Sequence, residues 1–170
     1  MQKTIRGKRS LKNLDYLAGF FDGEGSIFIT KINNKKSGNV WYRLSVSCGN
    51  SDKRPIDMLR KFNPRLKSFV YLHGRKLGYK PTYQWLTTGN TALRFLKEIE
   101  SKLVVKRKQA ELGIKFQEWR NTLKNTGQPR LEKELKIFEI YRQKIRNLNL
   151  SEFAAATTKR RDLRKQDAIV

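Results

Sequence analysis

The stretch "LAGFFDGEGS", Leu17 to Ser26, decides how the rest of the chain is read. It opens as an apolar helix and then breaks into two acids, Asp22 and Glu24, separated by glycines. Leu14, Leu17, Ala18 and Phe21 fall at i, i+3, i+4 and i+7, so one apolar face predicts a helix from about Lys12 to Phe21. Gly23 and Gly25 are its expected stop. A helix C-terminus carries the negative end of the macrodipole and favours cations there. Two carboxylates at that end need a reason other than helix stability.

The surrounding composition sharpens the question. The chain has 170 residues, enough for one domain with a core, and its 38% apolar content supports a folded protein. Against 38 Lys+Arg stand 15 Asp+Glu, a net charge of +23 that points to a polyanionic partner, nucleic acid first. No apolar run approaches the roughly 18 residues of a membrane-spanning helix, so no membrane partner is expected. One cysteine, Cys48, and one histidine, His73, are too few for a structural zinc site or a disulfide framework. Cys48 reads as a small core residue in a reducing compartment, prokaryotic cytoplasm or organelle. Lys3, Arg6, Lys8, Arg9 and Lys12 precede the motif with no acid among them, as a transit peptide or as a basic arm that grips phosphate.

After the motif, "SIFITKI" and "WYRLSVSC" flank a turn-prone "NNKKSGN" and predict a hairpin. Alternation points Tyr42, Leu44, Val46 and Cys48 one way, and Trp41, Arg43, Ser45 and Ser47 the other. From Ser26 through Ser51 there are four basic residues, Lys31, Lys35, Lys36 and Arg43, and no carboxylate, unlike an ordinary solvated face. A short helix is expected from Lys53 to Phe62, capped by Ser51 or Asp52 with Pro55 in its first turn. A second hairpin follows, "KSFVYLH" and "TYQWLTT", joined by a basic loop around Arg75, Lys76 and Lys80. Helices are then expected at Thr91–Glu100, Val105–Leu123 and Leu131–Ile145, the last turning Leu131, Leu135, Phe138 and Ile145 toward the body. The order αββαββα predicts an α+β fold: a curved four-stranded antiparallel sheet, helices on one face, and extra C-terminal helices. Residues 1–150 form a single domain in this reading, and 151–170 a loosely held basic tail. An open, basic sheet face suits a DNA groove.

With these residues in place, "LAGFFDGEGS" resembles the signature of the LAGLIDADG homing endonucleases, DNA-cutting enzymes carried by introns and inteins. A second match, "LVVKRKQA" at Leu103 to Ala110, resembles the family's basic segment after the second hairpin. The resemblance covers about Leu14 to Leu123 and implies metal-dependent hydrolysis of phosphodiester bonds. Mg²⁺, or another divalent cation such as Mn²⁺, is the expected cofactor, since hard oxygen ligands suit it. Glu24 takes the place of the family's metal-ligating motif acid, with the Gly23 carbonyl as a further ligand. Lys106 matches the basic residue near the scissile phosphate, and Arg54 a further basic group near the cleavage centre. Asn50 stands where the family more often has glutamine.

The chain holds one motif copy, while a double-strand break needs two cuts. Single-motif members of the family act as homodimers. Leu17, Ala18, Gly19 and Asp22 are the expected dimer interface, because Ala18, Gly19 and Gly23 leave little bulk on the helix and let two helices approach closely. Base contacts are expected from outward positions: Thr30, Ile32, Asn34, Lys36, Arg43, Ser45 and Ser47 in the first hairpin, and Tyr71, His73, Arg75, Lys76 and Gln84 in the second. A one-residue slip of register would exchange the faces. Double-stranded DNA and a second copy are therefore the expected partners, and host intron RNA a possible one. The alternatives on the same fold are an RNA-splicing maturase and a DNA-binding regulator without catalysis. A generic basic protein leaves the acid-Gly-acid-Gly pattern unexplained.

Overall fold

The computed structural model describes residues 11–35, 38–62, 68–73, 80–123 and 129–167, with side chains excepted at 11–13, 73 and 151–167. The chain runs α1 (Leu11–Glu24), β1 (Gly25–Asn33), β2 (Val40–Asn50), α2 (Lys53–Phe62), β3 (Phe69–His73), β4 (Thr82–Thr88), α3 (Gly89–Ile99), α4 (Arg107–Thr122) and α5 (Glu132–Asp167). A single 3₁₀ turn at Glu100–Lys102 joins α3 to the segment before α4. The four strands form one antiparallel sheet in the order β1-β2-β4-β3, so the two hairpins meet along β2 and β4. The fold is α+β with a four-stranded antiparallel sheet, as expected.

Strand alternation divides the sheet into two faces. Ile27, Ile29, Leu44, Val46, Cys48 and Trp85 are buried beneath the helices, against Phe21, Phe95 and Phe116. Phe95 is the hub: its ring meets Phe21 at 5.2 Å, Trp85 at 4.9 Å and Phe62 at 6.3 Å. Burying each such side chain contributes roughly 1.5–3 kcal/mol, so this cluster dominates stability. Gly113 lets α4 lie close on the sheet, because a Cβ there would come within 3.1 Å of Leu44 and 3.3 Å of Leu96.

Several boundaries differ from expectation, each for a local reason. α1 continues past Phe21 through Gly23 to Glu24. Its stop is Gly25, which is required by space: a Cβ there would stand 2.4 Å from the Phe21 carbonyl oxygen and 2.5 Å from the Phe21 ring. α4 begins at Arg107 rather than Val105, because the amides before it bond to a side chain elsewhere in the chain (below). Leu131 does not face the body; it is 57% exposed and forms the entry to α5. Its carbonyl accepts the Glu134 and Leu135 amides at 2.9 and 3.0 Å, and the Glu134 carboxylate accepts the Leu131 amide at 3.2 Å, a reciprocal cap. α5 runs on past residue 150, and its 36 residues span about 54 Å at 1.5 Å per residue.

α5 is fastened to the first hairpin by polar contacts as well as by Phe138 and Ile145. The Tyr42 hydroxyl donates to Glu139 at 2.7 Å, joined there by Arg142 at 2.6 Å and Gln143 at 2.7 Å. Asn149 donates to the Ile27 carbonyl at 3.2 Å. Burial by itself pushes the Glu139 carboxyl up, but the bonds from Tyr42, Gln143 and Arg142 outweigh it and hold the group at about 2. The same contact, with burial, raises the Tyr42 phenol to about 12.

Two predictions follow from this packing. The Glu139 carboxylate binds its proton more weakly in the folded chain than its ordinary value of 4.5, so its stabilisation is full above that value and is lost as pH falls toward about 2. Melting temperatures of the wild type should therefore drop more between those pH values than those of Glu139→Gln; parallel slopes would show that the carboxylate contributes nothing. Gly25→Ala should lower the melting temperature, because the Phe21 backbone cannot yield to a methyl group at 2.4 Å. An unchanged melt would mean the turn can open at no cost.

Candidate active site and nucleic-acid face

The site begins with the way α1 is buried. Leu17 and Ala18 are each 1% exposed and Phe21 is fully buried, so this face of the helix belongs to the chain's own core. That corrects the expectation that Leu17 and Ala18 face a second copy. The outward face is instead Tyr16, Gly19 and Gly23, with Phe20 half-buried at its edge, packed against the core and stacked on Tyr16 at 6.3 Å. A Cβ at Gly19 or at Gly23 would meet nothing within 4 Å. Nothing in the described chain therefore requires these two positions to be glycine, in contrast to Gly25.

The two motif acids part ways at the end of α1. Glu24 is exposed, and among the described residues it has no hydrogen bond or ion pair. Asp22 is engaged by its own chain. One carboxylate oxygen accepts the amides of Val104 at 2.7 Å and Val105 at 3.0 Å, and the other accepts the Lys106 amide at 2.9 Å. Partial burial pushes the Asp22 carboxyl up, but the Lys106, Val104 and Val105 amides outweigh it, and the group lies below its ordinary value. The Lys106 ammonium returns the contact by donating to the Asp22 carbonyl oxygen. That carbonyl is one of the orphan acceptors at a helix C-terminus, where the macrodipole also favours a cation.

Lys106 and Glu24 consequently share one neighbourhood. Gly25 pairs with Cys48 across the β1–β2 ladder, and the buried Cys48 thiol senses both charges. Burial pushes this thiol up to about 12, with Glu24 adding to the rise and Lys106 opposing it.

Asn50 ends β2 and Arg54 lies in the first turn of α2, and each has partners of its own. Asn50 accepts the Asp52 amide at 2.8 Å through its side-chain oxygen. Asp52 in turn accepts the Arg54 amide at 2.8 Å and two nitrogens of the Arg54 guanidinium, the Nε at 2.9 Å. The Arg54 guanidinium raises its affinity for the proton through that pairing and lowers that of Asp52. It also senses Tyr16, which lies about 12 Å from Glu24 along α1 by the helical rise. The structure thus places Glu24 and Lys106 in one neighbourhood, with Lys106 bonded to Asp22 rather than to Glu24, and pairs Arg54 with Asp52. Ser51, Asp52, Lys53, Arg54, Lys80, Pro81 and Tyr83 line an open cleft of about 490 Å³ there.

The donor set is of the kind a hard divalent cation takes. Among the described residues no three His, Cys, Asp or Glu side chains gather into a metal site. A protomer offers one exposed carboxylate and an adjacent backbone carbonyl, both oxygen donors. Mg²⁺ is commonly held by one or two carboxylates together with water and substrate phosphate.

Across the uncovered face of the sheet, the register aligns the sequence candidates. Thr30 pairs with Arg43 and Ile32 with Trp41. Tyr71 pairs with Gln84, which pairs on its other side with Gly49; His73 pairs with Thr82. Asn34 sits in the hairpin turn, where its carbonyl accepts the Gly38 amide at 2.8 Å. Lys36, Arg75 and Lys76 lie outside the described residues, as do Lys3, Arg6, Lys8 and Arg9. Ser45 and Ser47 share this face but are only 2% and 7% exposed. Each is a short side chain on a strand paired on both sides, Ser45 between Phe28 and Thr88, and Ser47 between Ser26 and Leu86. The Ser45 hydroxyl is also bonded to that of Thr30 at 3.1 Å. Among the described residues, no helix is long and apolar enough to cross a membrane.

These features can be set beside known proteins. The family model described as LAGLIDADG endonuclease matches residues 17–123. No curated protein sequence matches the chain. Among solved structures, the homing endonuclease I-CvuI, in complex with an I-CreI target in the presence of Mg, with DNA not cleaved, is 21% identical with a TM-score of 0.60, over 81% of this chain and 82% of that one. I-CvuI with its own target and Ca gives 20% and 0.62 over the same shares, 81% and 82%. The archaeal intron-encoded homing endonuclease I-Vdi141I, complexed with DNA, is 12% identical with a TM-score of 0.54, over 84% of this chain and 99% of that one. At these identities the structural likeness speaks to the fold, whereas the family model spans the motif helix, both hairpins and the Lys106 segment together. The chain belongs to the LAGLIDADG endonuclease family.

Proposed function

We propose that the chain is an intron-encoded homing endonuclease, a homodimer that makes a metal-dependent, sequence-specific double-strand break in a long pseudo-palindromic DNA site. The observation that carries this reading is an exposed Glu24, with no side-chain hydrogen bond or ion pair among the described residues, two residues beyond the Asp22 carbonyl that accepts the Lys106 ammonium, in a chain of the endonuclease family. A protein that only bound nucleic acid would gain nothing from leaving that carboxylate bare in a chain of charge +23.

Glu24 and the Gly23 carbonyl would hold the divalent cation, which when bound offsets phosphate charge and makes water a better nucleophile. Lys106 stabilises charge developing at the scissile phosphate. Asn50 and Arg54 act at the margin of the site, with Asp52 competing for both. Trp41, Arg43, Tyr71 and Gln84 meet base edges from the open sheet face, while flanking lysines hold phosphate. Two copies meet along Tyr16, Gly19, Phe20 and Gly23, which brings one Glu24 from each chain to each side of a shared centre. A two-fold assembly reads two similar half-sites with the same side chains.

Cleavage of DNA carrying the intron-free insertion site, with Mg²⁺ and with EDTA, tests the function. Glu24→Gln should abolish cutting and spare binding; wild-type rates in that variant would sink the metal assignment. Lys106→Ala should slow single-turnover cleavage by roughly 10²–10³-fold with a much smaller change in Kd. A loss confined to binding, with a shallower salt dependence, would make Lys106 a plain phosphate contact. Gly19→Leu should yield a folded protein that sediments as a monomer and makes no double-strand break, because the substitution adds bulk only on the outward face. A wild type that remains monomeric on DNA would overturn the dimer.

A further inference from the structure

We propose that Asp22 is a positioning residue for cleavage, acting through Lys106, which it holds at both ends. The inference rests on the reading of Lys106 as the group that stabilises phosphate charge. The Asp22 carboxylate fixes the Lys106 backbone by accepting its amide at 2.9 Å, and the Asp22 carbonyl accepts from the Lys106 ammonium. The Val104 and Val105 amides, at 2.7 and 3.0 Å, lock the approach to that residue. Three amides on one carboxylate leave it a single orientation, and charge-assisted bonds of this kind are stronger than neutral ones.

Apolar packing does not do this work. Leu103 is buried and the next buried residue is Gln109, but between them Val104 and Val105 are 85% and 55% exposed. Arg107, the first residue of α4, pairs with Glu100 and Glu111 on the surface. The Lys106 carbonyl accepts the Ala110 amide at 2.9 Å, which ties the carbonyl side of Lys106 to the helix but leaves its amide and those of Val104 and Val105 to Asp22. The connection that carries Lys106 is thus set by Asp22, more than eighty residues earlier in the chain, at the end of the same helix that presents Glu24. A single helix end therefore fixes both the carboxylate and the ammonium of the site, and their relative placement does not depend on the long chain path between them. Misplacement of a reacting group by about 1 Å can cost on the order of 10²-fold in rate.

Asp22→Asn is the informative change, because it removes the charge and its NH2 group must face at least one of the three backbone donors. Amide exchange at Val104, Val105 and Lys106 should accelerate by at least about 10-fold relative to amides elsewhere in α4, with or without metal. Single-turnover cleavage should fall by about 10–100-fold while Kd for DNA in EDTA stays within a few-fold. In the Lys106→Ala background the same substitution should cost almost nothing further, since the residue it positions is gone. Unchanged exchange at the three amides would overturn the tether. Faster exchange with rate losses that multiply in the double variant would overturn the route through Lys106 and leave a helix cap only. A fully active Lys106→Ala would overturn the underlying role of Lys106, and is told apart because the exchange change in Asp22→Asn persists. Should Asp22→Asn melt below the assay temperature, Asp22→Glu keeps the charge and acceptors on a longer arm and carries the same three comparisons.

Discussion

The close passage of the chain over Phe21 at Gly25 is the constraint on which the rest of the molecule depends. Phe21 is fully buried, and its ring and carbonyl leave no room for even a methyl group where α1 turns into β1. That turn sets the rotation of α1, which sends Leu17, Ala18 and Phe21 inward and Gly19, Gly23 and Glu24 outward. It also starts β1 in the register that pairs Gly25 with Cys48 and, further along, Thr30 with Arg43. One steric contact therefore links the core, the exposed carboxylate and the composition of the open sheet face.

Much of this was legible in the amino-acid sequence, for identifiable reasons. "TYQWLTT" is a strand with the expected limits, because its alternation survives in a position paired on both sides. The inward set Tyr42, Leu44, Val46 and Cys48 is buried as its period demands. What escaped prediction depends on contacts distant in sequence. The rotation of α1 is not fixed by its periodicity alone, because Leu17, Ala18 and Gly19 are all compatible with either a core or a helix–helix seam. The start of α4 is displaced because Asp22 takes the amides of Val104 to Lys106, a bond between residues no local window contains together. Asp22 was legible as an anomaly, an acid at the wrong end of a helix, but its solution was not. Leu131 has the right spacing for a buried face, but cap geometry at the entry to α5 leaves it outside.

The charge distribution follows the same division between faces. On the helical side, basic residues are matched with acids: Lys97 with Glu118, Arg107 with Glu100, and Lys102 with Asp15. Such exposed pairs contribute little to stability, typically under about 1 kcal/mol each. Their effect is to lower the net charge of the back of the molecule, while the first hairpin has no carboxylate at all. The uncompensated positive charge therefore lies toward the sheet, and attraction to a polyanion would be strongest on that side.

Ser45 and Ser47 give the open face an uneven capacity for change. Both lie in the middle of the sheet on a strand paired on both sides and are nearly buried, so a larger side chain at either position must displace a neighbour. Arg43 and Trp41, nearer the hairpin end, project freely and can be exchanged without repacking. A lineage obliged to follow a drifting target would then accumulate its innovations at the periphery of the sheet, while the central rows evolved slowly and in coupled steps. Retargeting by selection or by engineering should meet the same gradient, with permissive outer positions and a centre where single changes fail and paired ones succeed.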